Sequence, residues 1–311
     1  MDKGEYTMKL GRSLELFLTA KRGELVSEKT VAYYEYWTKD FFRYAVTVQG
    51  AYDWDSIRAE HIQSYLAMLG TERKVRSATV HDAYRAVKAL NRWLFKQSYI
   101  PSCVIDKVQA PKQEKIIPRT FTIKEIQAMY GACNKTSFAG VRDRTMLTLL
   151  LSSGIRKSEL AGILSEDVDL EQGHIKVYGK GNKQRLLPLA HKAKKALEEY
   201  NRLKACKIFP IRSKYYFVNN KGAKLNNSSM DSIFKRIKER SGIQGAKVSC
   251  HTWRHTFAKS YLLNGGDVFS LQRLLGHSDL STTKRYLNLN TKEIQTQYDK
   301  FNPLDNMDWV F

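Results

Sequence analysis

Cysteine is scarce and scattered in this chain of 311 residues. Cys103, Cys133, Cys206 and Cys250 lie far apart and form no Cys-x-x-Cys pair. That spacing argues against a disulfide frame or a zinc knuckle and for reduced thiols in the cytoplasm. Long apolar runs are also missing: none approaches the roughly 18 residues of a membrane span. The first residues, Met1-Asp2-Lys3-Gly4-Glu5, lead into no apolar core of the kind that makes a secretion signal. No membrane partner is therefore expected. Acidic residues are in deficit too, with 31 Asp and Glu against 52 Lys and Arg, a formal net charge of +21. An excess of that size attracts polyanions. It is not confined to a tail. Residues 1–117 carry 19 basic and 14 acidic side chains, and the remainder carries 33 and 17.

What is present is enough apolar material, 42% of the chain, to bury two cores. From about Leu10 to Leu94 the periodicity is helical. Leu14-Glu15-Leu16-Phe17-Leu18 opens one helix. Ser27 can cap a second, in which Val31, Tyr34, Trp37, Phe41 and Tyr44 recur at three- and four-residue spacing. A third lies near His61–Leu69. A fourth starts after Ser77 or Thr79 and repeats Val80, Tyr84, Val87, Leu90 and Leu94. The basic cluster Arg73, Lys74 and Arg76 precedes that fourth helix. There phosphates could meet both the charges and the helix N-terminus, although a solvated loop explains such a run equally well. Pro101, Pro111 and Pro118 then bracket a polar stretch without periodicity, read as a linker. Thr122 with Glu125 has the spacing of a capping box. Further on, His174–Tyr178 and Lys183–Leu187 flank Gly179-Lys180-Gly181-Asn182, the pattern of a β-hairpin. The expected fold is mainly α with a small β-hairpin: a helical N-terminal bundle over 1–107, a linker over 108–118, and a mixed, mostly helical domain over 119–311.

Three segments of the second domain break apolar periodicity with polar groups. In Leu149–Leu160 a buried-looking helix ends at Gly154, and Arg156 and Glu159 follow at three-residue spacing. An arginine there must be paired or must meet an anion, and a simple Arg–Glu helix pair satisfies the first condition. In His251-Thr252-Trp253-Arg254-His255, residues 251, 254 and 255 share one helical face. His251 and His255 also have the spacing of a zinc-binding helix, but Thr252 stands where a hydrolase would have Glu. The third segment, Leu274–Tyr286, closes a helix at Gly276, puts His277 on a turn and places Tyr286 about one turn into the next helix. A tyrosine so placed, one of 17, is ordinarily packing.

Taken together, these segments resemble the active-site set of the tyrosine recombinases. The match consists of Arg156 within Gly-x-Arg-x-x-Glu, Lys180 in the hairpin turn, His251-x-x-Arg254, Leu-Gly-His277, and Tyr286 nine residues later. It extends over the second domain at spacings like those of the compact bacterial Xer-type members. The first domain is similar to the family's core-binding domain in pattern rather than in motif. Trp253 departs from the smaller apolar residue common at that position, and His255 fits the family's usual His-x-x-Arg-His.

The resemblance implies a site-specific recombinase that cuts and rejoins DNA through a 3′-phosphotyrosine. Arg156 and Arg254 would hold the non-bridging phosphate oxygens, Tyr286 would be the nucleophile, and Lys180 the general acid for the 5′ oxygen. His251 would exchange protons with the Tyr286 hydroxyl, and His277 would hydrogen-bond the phosphate. Lys183 joins Arg73, Lys74 and Arg76 as a candidate DNA contact. No cofactor or metal is implied. The implied partners are double-stranded DNA and further protomers, four on a synapse, or a close paralogue. A tail from about residue 291 would dock on a neighbour, with packing against its own domain as the alternative. With the first domain starting almost at Met1, the arm-binding domain of larger phage integrases is not expected. The expected place of action is the cytoplasm, on the nucleoid. Two other functions fit parts of the pattern: a type IB topoisomerase, and a DNA-binding protein without catalysis.

Overall fold

The computed structural model describes residues 8–112, 114, 118–179, 184–245, 247–276, 279, 280, 283, 286, 293 and 300. The chain divides into two compact units, Met1–Ile116 and Ile117–Phe311. Among the described residues no helix is long and apolar enough to cross a membrane.

The first unit is built from α1 (Leu10–Gly23), α2 (Glu28–Gln49), α3 (Ala59–Thr71) and α4 (Ser77–Lys96), followed by a 3-10 turn at Val104–Lys107. Each helix turns one apolar face inward. Phe17, Val31, Phe41, Ile62, Leu69, Val87 and Leu90 are buried in a common core. Ser27 caps α2, accepting from the Thr30 N–H at 3.3 Å. At α4 the cap position falls to Arg76, whose side chain makes no capping bond, so the hydroxyls of Ser77 and Thr79 lie inside the helix. Among the described residues of this unit, one carboxylate is buried. Asp40 accepts from Tyr65 (2.9 Å) and Arg73 (2.7 Å) and is also bonded by Arg43. Burial alone would favour its protonated form, but these donors hold the carboxyl below its ordinary pKa.

In the second unit, α5 (Ile123–Gly131) starts at a capping box between Thr122 and Glu125. There follow α6 (Phe138–Ser153), α7 (Lys157–Gly162), a 3-10 turn at Ser165–Asp167, and the strands β1 (Val168–Asp169), β2 (His174–Tyr178) and β3 (Gln184–Pro188). The strands form one antiparallel sheet in the order β1-β2-β3. The β2–β3 register pairs Ile175 with Leu187 and Val177 with Arg185. The buried Ile175 and Val177 alternate with half-buried neighbours, which puts one face of the sheet on the core. The two expected strands thus pair antiparallel, and the residues 180–183 between them lie outside the described residues. The two-residue β1 is an addition. Then come α8 (His191–Ala205), α9 (Asn227–Ser241), α10 (Cys250–Leu263) and α11 (Val268–Leu275).

Helix α10 divides its faces between two cores. Cys250 and Trp253 enter the large one with Leu147, Leu150, Phe217 and Phe234. Phe257, Ala258 and Leu262 enter a smaller one with Leu271, Leu275 and Tyr286. Trp253 is accordingly a packing residue, with its ring centroid 5.0 Å from that of Phe121. Lys180, Lys183, His277 and nearly all of the tail from residue 291 lie outside the described residues.

Candidate active site

The site grows from two helix ends. Helix α6 stops because Gly154 takes a left-handed conformation, φ 58°, and returns its N–H to the Leu150 carbonyl at 3.0 Å. A side chain at 154 would also strike Phe257, with its Cβ 2.4 Å from a ring carbon. The chain then turns through Ile155 into Arg156, the residue that precedes α7. Helix α11 stops in the same manner at Gly276, φ 63°. The last carbonyls of a helix have no partners within it and carry the negative end of its dipole.

Arginines supply those partners. Arg185 donates from Nε to the Leu274 carbonyl (3.1 Å), Arg254 from Nη2 to the Leu275 carbonyl (2.7 Å), and Arg156 from Nη2 to the Gly276 carbonyl (2.9 Å). Arg254 also donates from Nη1 to the Gly154 carbonyl at 2.7 Å, joining the two helix ends. Three guanidinium groups thus converge on three consecutive carbonyls.

Glu159 stands against this charge. Its side chain is 1% exposed. It accepts from the Arg156 backbone N–H (2.9 Å), from Arg156 Nη1 (2.8 Å), and from Arg185 Nη1 and Nη2 (2.8 Å each). Burial opposes ionisation, but the hydrogen bonds and charges of Arg185 and Arg156 overcome it and bring the carboxyl down to about 2. Arg254 is pulled the other way. Burial, then Arg156, lowers its guanidinium to about 10, while Tyr286 and Glu159 work against that fall. Arg156 keeps 34% of its side chain exposed and so remains open to an anion.

Tyr286 lies beside this group. It sits in a 3-10 turn and is 6% exposed, with its ring in the small core. Its hydroxyl is 3.0 Å from Nδ1 of His255, the residue after Arg254, and the two rings are tilted with centroids 5.5 Å apart. The structure therefore gathers Arg156, Arg254 and Tyr286. The Tyr286 hydroxyl meets His255, one turn along α10 from His251, the residue to which the family resemblance assigns proton exchange with that hydroxyl. His251 is exposed on the same helix. Partial desolvation, then the charges of Arg254, Lys157, Lys247 and Arg156, hold its imidazole below the ordinary pKa. Among the described residues no three His, Cys, Asp or Glu side chains converge as a metal site requires.

Two contributors were not picked out from sequence, Arg185 and His255. The His-x-x-Arg-His wording was a signal for His255. For Arg185 the alternation of β3 gives none. In the first unit, Arg73 is engaged with Asp40, Lys74 is exposed with a left-handed φ of 50°, and Arg76 is exposed just before α4.

Comparison with known proteins agrees over both units. Residues 119–293 match the phage integrase family, and residues 14–100 match the phage integrase N-terminal SAM-like domain. The tyrosine recombinase XerC of Pelobacter propionicus is 31% identical over 300 residues, covering 94% of each chain. Among solved structures, the XerH site-specific recombinase bound to palindromic difH substrate superposes with a TM-score of 0.75 at 19% identity, covering 93% of this chain and 84% of that one. A lambda integrase tetramer bound to a Holliday junction gives 0.71 at 18% identity, covering 99% and 81%. At those identities the two structures speak for the fold. The family match and the XerC relative speak for more: the chain belongs to the phage integrase family and is a site-specific DNA recombinase of the tyrosine type.

Proposed function

We propose that this chain cleaves and rejoins double-stranded DNA through a 3′-phosphotyrosine formed on Tyr286. The observation that carries the reading is the held phenol: the Tyr286 hydroxyl lies 3.0 Å from a ring nitrogen of His255, one residue from Arg254. Arg254 and Arg156 are fixed on neighbouring carbonyls at the end of α11.

Charge builds on the non-bridging oxygens as the phenolic oxygen attacks phosphorus, and Arg156 and Arg254 offset it. The bond from phosphorus to Tyr286 forms as the bond to the 5′ oxygen breaks. Lys180 gives that oxygen a proton, and His277 bonds the phosphate. His255 takes the phenol proton, with His251 at the rim of the same helix. In the second half the 5′ hydroxyl of the exchanging strand attacks, and Tyr286 leaves with its proton restored. Because the phosphotyrosine keeps the energy of the broken link, neither step draws on ATP.

Residues 1–107 would then form the core-binding domain, 108–118 the linker and 119–311 the catalytic domain. Lys74, Arg76 and Lys183 would meet backbone phosphates. Strand exchange needs two duplexes held together, so four protomers, or this chain with a close paralogue, would assemble on DNA through the tail from about residue 291. The lambda integrase tetramer on a Holliday junction supports this arrangement by analogy of fold. The reading places the chain in the cytoplasm, on the nucleoid.

The test uses a nicked duplex selected from a random pool for retention by the wild-type chain. Tyr286→Phe should bind it with unchanged affinity and form no adduct that survives denaturant and phenol. An adduct undiminished in Tyr286→Phe would sink the reading. Relaxation of supercoiled plasmid without synapsis would instead favour a topoisomerase.

A further inference from the structure

Arg185 is the member of the arginine cluster for which the proposed reaction has no use. It is also firmly anchored. Its guanidinium forks onto both oxygens of Glu159, its Nε bonds the Leu274 carbonyl, and its side chain is 14% exposed, less than half the figure for Arg156. The same group lies flat against Gly276, where an added Cβ would stand 3.0 Å from Nη1. Arg185 is the second residue of β3. It therefore ties β3 to the Arg156 turn, through Glu159, and to the end of α11, through the Leu274 carbonyl.

From this geometry we infer that Arg185 is a positioning residue for strand cleavage, locking the Arg156 guanidinium in place through their shared carboxylate and through the end of α11. The inference rests on the cleavage reading above. Arg156 bonds Glu159 and the Gly276 carbonyl, and Arg185 bonds the same carboxylate and, two residues earlier at the end of α11, the Leu274 carbonyl. Without Arg185, Glu159 can follow Arg156 instead of fixing it, and one carbonyl at the end of α11 loses its donor. A lysine could not replace the planar fork, because an ammonium is a point donor that cannot span two carboxylate oxygens and a carbonyl.

Single-turnover cleavage of the selected nicked duplex, at saturating protein, tests this with the full chain. R185M should cleave about a hundredfold more slowly, the scale of a catalytic group displaced by about 1 Å, while its affinity for the duplex stays within about threefold. R185K should fall by about tenfold. A methylphosphonate at the mapped scissile position removes the charge that Arg156 holds, so there the R185M deficit should shrink to less than about tenfold. General loosening of the fold would leave that deficit unchanged.

R185M cleaving at the wild-type rate, a loss of cleavage in step with lost binding, or an equal deficit on both phosphates overturns the inference. Should R185M not fold, R185K is judged by the same criteria, and cleavage at the wild-type rate overturns the inference. A wild-type chain that forms no adduct with any selected duplex overturns the cleavage reading and this inference with it. Normal wild-type cleavage with an unaffected R185M overturns the inference alone.

Discussion

Replacing Glu159 by Gln keeps the shape of the side chain and removes the buried carboxylate that Arg156 and Arg185 share. The four bonds it accepts are 2.8–2.9 Å long, and its side chain is 1% exposed. The carboxyl is held at about 2, against an ordinary 4.5. At about 1.4 kcal/mol per pKa unit, the charged form contributes about 3 kcal/mol to folding. That agrees with the 3–5 kcal/mol lost when one partner of a buried ion pair is deleted. The sign follows from a depressed folded-state value. The contribution is complete above about pH 4.5 and is lost as the pH falls toward about 2. Glu159→Gln should therefore lower the unfolding free energy of the second unit by about 3 kcal/mol at neutral pH. The gap to wild type should close on acidification through that window. Because the two units can unfold separately, the assay should be hydrogen exchange in urea, read on peptides from α6 and α10. A difference below about 1 kcal/mol at neutral pH, or one that persists undiminished in acid, refutes the reasoning.

Other expectations follow from single contacts. His255→Phe keeps a ring beside Tyr286 but removes the hydrogen bond to its hydroxyl. Cleavage should slow by about a hundredfold or more with binding intact, and an unchanged single-turnover rate would count against His255 as the proton partner. In the first unit, Arg73→Gln should destabilise the bundle by about 1–2 kcal/mol in urea unfolding, because the buried Asp40 loses one charged donor and keeps Tyr65 and Arg43. Lys74→Gln and Arg76→Gln should leave stability nearly unchanged. Each should instead lower the salt dependence of duplex binding by about one counterion, measured as the slope of affinity against ionic strength. Slopes equal to wild type would remove these two residues from the interface.

Periodicity revealed the helices because a helix that buries one face must repeat its apolar residues at three and four. Val31, Tyr34, Trp37 and Phe41 do so in α2, and Val80, Tyr84, Val87 and Leu90 in α4. Local chemistry also revealed Ser27 as a cap and the Thr122–Glu125 box, since both partners of each bond lie within one turn. The two-residue β1 is too short for any period to show. In the candidate site, residue types were legible but contacts were not. Arg254 reaches a carbonyl 100 residues away, and Arg185 reaches Glu159 across 26 residues and Leu274 across 89. Nothing near Arg185 in sequence marks it, since an arginine alternating with apolar residues is what a half-exposed strand ordinarily contains. The choice between His251 and His255 for the phenol likewise turns on where a chain segment 31 residues downstream returns to α10.

The most direct test is to map the covalent link itself. Wild-type chain trapped on a nicked, selected duplex is digested with protease and nuclease, and the nucleotide-bearing peptide is sequenced by mass spectrometry. The account predicts a 3′-phosphoryl nucleotide on the phenolic oxygen of Tyr286. A link to any other side chain, a link through a 5′ phosphate, or strand cleavage with no link at all would contradict it.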